Sequence, residues 1–293
     1  MDEYLADRFE AHRAHLVAVA YRMLGSLVEA EDAVQEAWLR LARVDQDSID
    51  NLGGWLTTAV SRVCLDLLRS RRSRREDSFE EHLPDPVVRP DDGTDPEQQA
   101  VLADSVGMAL LVVLDSLNPA ERLAFVLHDM FAMPFDQIAP ILGKSPAATK
   151  MIASRARRRV QGGTPRLDAD LPRQRRAVAA FLAAARDGSF DALLSLLDPD
   201  VVLRADSGVG GIQIMRGAPV VAGLLDTFHQ FANRYDIMPA LVNGVAGLLS
   251  TADGIPMSVI AFTVADDRIT GIDLLADPTR LAALPLPTTR PNP

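Results

Sequence analysis

Residues 134–160 read PFDQIAPILGKSPAATKMIASRARRRV, and their spacing predicts a helix, a tight turn and a second helix. Phe135, Ile138, Ala139 and Leu142 fall on one apolar face of the first helix. Gly143 stops it, because glycine enters the left-handed conformation of a helix C-cap without steric penalty. Ser145 is a good N-cap, and Pro146 stands at the first helical position, where its missing N–H costs nothing. The second helix turns Ile152, Ala156 and Val160 inward. Ala147, Ala148, Lys150, Met151, Ser154 and Arg155 face outward, and the last turn carries Arg155, Arg157, Arg158 and Arg159. Small residues at the front of such a helix let it approach base edges, while Lys and Arg hold phosphates. The segment is expected to be a helix-turn-helix with its recognition helix second. The plainer reading of these residues alone is a surface helical hairpin with a solvated arginine face, and the rest of the chain decides between the two.

The chain has 293 residues and a formal net charge of −10. That balance argues against binding nucleic acid over the whole surface, but its distribution is uneven. Residues 62–75 hold six Arg against one Asp, and residues 144–159 hold two Lys and four Arg with no acid. Between them, residues 76–97 hold nine acids and one Arg, so two basic patches flank an acidic connector. A single cysteine, Cys64, lies in an apolar helical run. It permits no disulfide framework and suits a reducing cytoplasm, as a small core residue rather than a nucleophile. Residues 1–11 are acidic and polar, unlike a secretory leader, and no apolar run reaches the roughly 18 residues of a membrane span.

Residues 1–75 are expected to be all-helical. A first helix spans 5–24 and ends at Gly25. A second starts near Val28, where Val34, Ala37, Trp38 and Leu41 make a buried stripe opposite Asp32, Gln35 and Glu36. A third follows Asn51-Leu52-Gly53-Gly54, with Trp55, Leu56, Ala59, Val60, Val63, Leu67 and Leu68 inward and Thr58, Ser61, Arg62, Asp66 and Arg69 outward. Residues 76–98 are Pro-rich and acidic with little periodicity, a mobile linker in which His82-Leu83-Pro84-Asp85-Pro86 is apolar enough to dock. Residues 99–162 form a second helical domain. One helix is lined by Val106, Leu110, Val113, Leu114 and Leu117. Another, over 120–131, opens on a capping box of Asn118, Pro119 and Glu121. After a polar linker at 163–171 the pattern becomes α+β. Helices at 173–186, 190–197 and 219–233 accompany strands at 201–205, 211–215, 239–245, 257–265 and 269–275. Ala252-Asp253-Gly254 and Asp266-Asp267 are the hairpin turns. A Pro-rich tail, 285–293, ends the chain without predicted structure.

This order of elements resembles the extracytoplasmic-function sigma factors of bacterial RNA polymerase. The resemblance rests on Asp32-Ala33-Val34-Gln35-Glu36-Ala37-Trp38, on Trp55-Leu56-Thr57-Thr58-Ala59 running into arginines, on the acidic linker and on the recognition helix. It implies two all-α domains, sigma-2-like at 1–75 and sigma-4-like at 99–162. A SnoaL-like α+β cone with a curved antiparallel sheet follows at 172–284, a pairing similar to the SigJ-type subgroup. It assigns Asp32, Gln35 and Glu36 to core polymerase. Asn51, Arg62, Arg69, Arg71, Arg72, Arg74 and Arg75 go to the −10 element. Ala147, Ala148, Lys150, Met151, Ser154, Arg155 and Arg158 go to the −35 element. Thr149 departs from the family's larger apolar residue. The resemblance also implies regulation in cis through Leu83, Pro84 and Asp85 of the linker, Asp206 and Gly208 of a Gly-rich motif that lacks its usual Lys, and Asp277 and Pro278 of Ala276-Asp277-Pro278-Thr279-Arg280-Leu281. No separate anti-sigma factor is then required, and the cone admits a small ligand.

No Gly-rich phosphate loop and no Cys/His metal spacing occurs, so neither cofactor nor metal is expected. Asp206, His229 and Asp273 are the residues a catalytic cone could use, but a lone His is more often structural, and the chain is not expected to be an enzyme. Two competing readings are a one-component helix-turn-helix regulator with a ligand-sensing cone and an enzyme fused to a DNA-binding module. The first leaves the Asp32–Trp38 helix and the second basic patch without a role.

Overall fold

The computed structural model describes residues 3–45, 49–75, 82–91, 107–163 and 170–287. The chain divides into two compact units. One gathers residues 1–78, 98–102 and 111–163; the other gathers 79–97, 103–110 and 164–293.

In the first unit, α1 (Glu3–Leu24) begins amphipathic and ends enclosed, every residue from Leu16 to Leu24 being buried. Neighbours cover every face of that stretch, the charged Arg22 included. Gly25, at φ 72°, closes it. Ser26 then caps α2 (Leu27–Leu41), whose Ala30, Ala33, Val34, Ala37 and Leu41 pack inward. The rings of Phe9 and Trp38 meet at 4.8 Å. α3 (Leu52–Arg75) starts three residues earlier than expected, at Leu52 rather than after Gly54, because the Asn51 side chain accepts the Gly54 amide at 3.0 Å. Ser61, expected on the polar face, is fully buried. The enclosing neighbour is tertiary, which spacing within one helix does not reveal.

α4 (Met108–Asp115) buries Met108, Ala109, Leu111 and Leu114, leaving Leu110 and Val113 half-covered; Val106 lies outside the described residues. The helix expected over 120–131 is in two parts. α5 (Pro119–Phe125) carries the capping box, with Asn118 and Glu121 exchanging bonds of 2.9 and 3.3 Å. It passes into a π-helical turn, Val126–Met130. Then come α6 (Phe135–Leu142) and α7 (Pro146–Gly163). The helix-turn-helix packs with α1–α3 in one unit. Arg122, 1% exposed, donates to the Arg22 carbonyl at 3.2 Å and to Asp115 at 2.9 Å. Arg22 lies 5.1 Å over the Phe131 ring, whose centroid is 5.1 Å from that of His15. Burial, with His12 and Arg22 adding repulsion, lowers the His15 pKa.

The second unit is α+β. Helices α8 (Leu171–Asp187), α9 (Phe190–Leu196), α10 (Ala218–Ala222) and α11 (Leu225–Arg234) accompany a seven-stranded sheet, and α12 (Pro278–Ala283) follows it. The strands are β1 (Val88–Pro90), β2 (Leu197–Asp206), β3 (Gln213–Arg216), β4 (Asp236–Val242), β5 (Val245–Ala252), β6 (Ile255–Ala265) and β7 (Arg268–Leu275), in the order β1-β4-β5-β6-β7-β2-β3. All pairs are antiparallel except β2 with β7. The core between helices and sheet contains Phe181, whose ring lies 5.4 Å from that of Phe228 and 5.2 Å from that of Phe262.

Three expectations change here. The strand at 239–245 is two strands, split by Asn243 (φ 53°) and Gly244 (φ 77°) in a two-residue hairpin. The helix at 219–233 breaks at Gly223 and Leu224. The linker, expected mobile, is ordered over 82–91 and supplies β1, which pairs with β4 from Val88↔Val242 to Pro90↔Ala240. The rest of the linker, most of 163–171 and the end of the tail fall outside the described residues.

Candidate nucleic-acid and protein interfaces

On α2, Asp32 and Gln35 are exposed and Glu36 is half-buried, paired with Arg40 at 2.9 Å. The same stripe carries Val28, 57% exposed, and Leu39, 45% exposed. Positions 28, 32, 35 and 39 repeat at i, i+4, i+7 and i+11, so the face is polar in the middle and apolar at both ends. Such a face can meet a protein partner, with Val28 and Leu39 as apolar anchors and polar groups between them. Helical spacing marks the buried stripe of Val34, Ala37, Trp38 and Leu41 and assigns Val28 and Leu39 no role.

On α3, Arg62, Arg69 and Arg72 are exposed, with Asp66 3.7 Å from Arg69. Arg71, expected on phosphate, is engaged inside the unit instead. It forms an ion pair with Glu29 and donates to the Leu24 carbonyl at 3.1 Å. Arg74 and Arg75 continue the helix, but their side chains are outside the described set. A cavity of about 500 Å³ opens beside Asn51, lined by Arg40, Trp55, Thr58 and Arg62, with Gln137 and Pro140 of α6 on its other side. An indole, two arginines and short polar groups are what an unstacked base needs for stacking and edge contacts.

In the helix-turn-helix, Gly143 takes φ 65° with nothing within 4 Å of a built Cβ, so conformation and not space selects glycine there. Ser145 accepts the Ala148 amide at 3.2 Å. Thr149 is fully buried and its hydroxyl donates to the Ser145 carbonyl at 3.0 Å, which satisfies the polar group the departure introduces. Ala147, Lys150, Met151, Ser154, Arg155 and Arg158 are exposed as expected, and Ala148 is half-buried. Ile152, expected inside, is half-buried, while Ala153 takes a core position. The arginine cluster divides. Arg157 pairs with Asp129, and Arg159 with Glu121 at 2.6 Å, both within the domain. Arg155 and Arg158 face outward.

The second unit clasps the linker. Asp206, fully buried, accepts from the Leu83 amide at 3.0 Å, the Gly208 amide at 3.1 Å and Arg280 at 2.7 Å, with His82 Nδ1 3.4 Å away. Arg280 also donates to the Leu83 carbonyl and to Asp85, each at 2.6 Å. Asp277 caps α12 through Thr279 at 2.8 Å and packs on Gly208, where a Cβ would come within 2.6 Å of its carboxyl carbon. Leu83 and Pro84 are buried, whereas Pro278 is exposed. Farther along, the Val87 amide donates to Asn243 Oδ1 at 3.1 Å and Asp91 pairs with Arg175 at 2.8 Å. Leu83, Asp85, Asp206, Gly208 and Asp277 therefore meet at one place. The residue joining them, Arg280, was not singled out in advance; its signal is the only cation in the last motif.

The three catalytic candidates each have a partner of their own. Asp206 belongs to the clasp. His229 Nδ1 lies 3.2 Å from the Ala185 carbonyl. Asp273 pairs with Arg204 at 3.0 Å, and burial pushes its carboxyl above the usual range despite the opposing guanidinium. Burial pushes the Cys64 thiol up to about 12, so it is no nucleophile. Among the described residues no group of three His, Cys, Asp or Glu is placed to hold a metal, and no helix is long and apolar enough to cross a membrane.

The comparisons with known proteins agree with this layout. Residues 8–74 match Sigma-70 region 2 and residues 107–160 match Sigma-70, region 4. The chain is 39% identical to the ECF RNA polymerase sigma factor SigJ of Mycobacterium tuberculosis, over 97% of its own length and 96% of that protein's. It is 35% identical to the probable ECF RNA polymerase sigma factor SigI of the same species, over 94% of each. Its fold matches the crystal structure of SigJ with a TM-score of 0.77 at 36% identity, covering 96% of this chain and all of that one. A chain that shares two sigma regions, their order and the appended SnoaL-like domain with these proteins belongs to the extracytoplasmic-function sigma factors, which direct RNA polymerase core enzyme to promoters.

Proposed function

We propose that the three surfaces divide the work of promoter recognition and that the second unit regulates it in cis. The α2 stripe from Val28 to Leu39 docks on core polymerase, with Asp32, Gln35 and Glu36 answering a basic partner. The Asn51 cavity takes an unstacked base of the −10 element, while Arg62, Arg69 and Arg72 hold the neighbouring phosphates. Ala147, Lys150, Met151, Ser154, Arg155 and Arg158 read the −35 element. Gln137 and Pro140 line the same cavity as Trp55, so a base entering it meets α6 as well as α3.

The observation that carries the regulatory part is the clasp. One buried carboxylate and one arginine, 74 residues apart, hold the linker that tethers the two sigma regions. No separate anti-sigma factor is then needed, and the second unit adds no chemistry of its own. As a sigma factor without a membrane span among its described helices, the protein acts in the cytoplasm. The alternative, a one-component regulator independent of polymerase, gives the α2 stripe nothing to bind.

Two measurements test this. Asp32→Arg with Glu36→Arg abolishes pull-down of purified core polymerase while leaving the circular dichroism spectrum unchanged; retained binding would sink the α2 assignment. Run-off transcription with core polymerase differs strongly between the full chain and residues 1–171. Removing residues 285–293 alone has a smaller effect, and equal transcription from all three removes the regulatory role.

A further inference from the structure

On the face of the second unit where α8 lies over β5, with Pro239 of β4 beside it, is a groove of about 590 Å³. That volume is within the range of small-molecule sites. Its walls are Val178, Leu182, Pro239 and Leu248, and the small side chains of Ala179 and Ala183 leave it open along the helix. Gln174 fixes the helix over the strand by accepting the Ala246 amide at 3.0 Å, so the space is preformed. Charge is confined to the ends. At one end Arg175 is neutralised by Asp91 of the linker. At the other, Arg186 is exposed, and no carboxylate of the described residues pairs with it. The two arginines are eleven residues apart on one helix, about 16 Å at the helical rise. One small anion cannot bridge them.

We propose that this groove binds an unbranched amphiphilic carboxylate, with its head group on Arg186 and its apolar tail running over Val178, Leu182 and Leu248 toward the Arg175–Asp91 pair. A guanidinium at one open end and an apolar floor select a single negative charge on a long tail. Because a linker residue closes the far end, the ligand binds the docked linker better than the undocked one, and by linkage it holds the linker down. The binding claim stands apart from the cis-regulation reading; only its consequence depends on that reading.

The probe is decanoate, titrated calorimetrically into the full-length protein below its micelle concentration, with decyltrimethylammonium as the control of equal tail and opposite charge. Decanoate binds saturably at one site per chain. Arg186→Glu, at an exposed position, weakens it by at least about tenfold, the loss of a charge-assisted contact. Ala183→Trp, also exposed, abolishes it by filling the groove. Bound decanoate slows amide exchange at Val87. Equal binding of the cationic control, no saturable binding, or binding indifferent to both variants overturns the site. A dimer that Ala183→Trp dissociates, with no decanoate uptake, makes the groove an interface between copies instead. Site binding with unchanged exchange at Val87 overturns the coupling to the linker.

Discussion

Replacing Arg280 by Met keeps its length and apolar stem but removes its charge and all its donors. Three contacts vanish together, to Asp206, to the Leu83 carbonyl and to Asp85. Asp206 is fully buried and keeps the Leu83 and Gly208 amides, so it is left under-compensated rather than bare. Breaking a buried pair by removing one partner costs about 3–5 kcal/mol. The remaining amide donors and the partial exposure of Arg280 reduce this to roughly 2–4 kcal/mol, most of it charged to the docked linker. At about 1.4 kcal/mol per decade, the undocked fraction of the linker rises roughly 30-fold to several hundred-fold. Native-state amide exchange reads this directly. The Leu83 amide, donated to Asp206, and the Val87 amide, donated to Asn243, exchange faster by that factor, while interior amides of β6 do not. Unchanged exchange at both sites would show that the strand pairing alone holds the linker. Equal acceleration in β6 would show that Arg280 supports the whole second unit rather than the clasp.

Other outcomes follow from single groups. Asp273→Asn removes a carboxyl whose pKa is raised by burial. A raised acid destabilises the fold once ionisation is demanded, so the variant's advantage in Tm over the parent is absent at pH well below the ordinary Asp value. It grows as pH rises through the carboxylate range, and a pH-independent difference would refute the assignment. Arg155→Ala and Lys150→Ala weaken binding to a −35 duplex by about 1–3 kcal/mol if each reads a base. Arg157→Ala instead lowers thermal stability through its lost Asp129 pair and leaves sequence preference intact, which competitive binding to two duplexes checks. Cys64 resists alkylation in the native state and reacts only on unfolding, timed by mass spectrometry.

Local chemistry was legible in the chain. Gly143, Ser145, Pro146 and the Asn118 capping box declare their turns and caps within four residues, and the structure places each there. The Asn243-Gly244 hairpin is equally local, but apolar residues continue on both sides of it and read as one strand. What could not be read is what depends on distant partners. The burial of Ser61, the recruitment of Arg71 by Glu29 and the meeting of Leu83 with Arg280 across 197 residues leave no periodic trace. Composition misled at the linker. Its acids argue for disorder, yet Asp85 and Asp91 are satisfied by Arg280 and Arg175, and Val88 to Pro90 form an edge strand.

The same redistribution of charge bears on how tightly the recognition helix can hold DNA. Residues 144–159 carry six cations, and all six would count toward phosphate binding if each reached solvent. Arg157 and Arg159 are held by Asp129 and Glu121, which leaves four: Lys144, Lys150, Arg155 and Arg158. Each phosphate neutralised contributes about −0.9 to the slope of log K against log salt on duplex DNA. Binding of the full chain to a duplex carrying only a −35 element is therefore bounded near −3.6, against about −5.4 if all six contributed. The slope measured by fluorescence anisotropy over a salt series separates these values. A slope near the steeper limit would mean that Arg157 and Arg159 abandon their carboxylates for phosphate. In that case Asp129→Asn and Glu121→Gln would raise affinity at low salt. A slope at or below the shallower limit, unmoved by those two substitutions, would mean that the two arginines brace the domain and the other four make the contact.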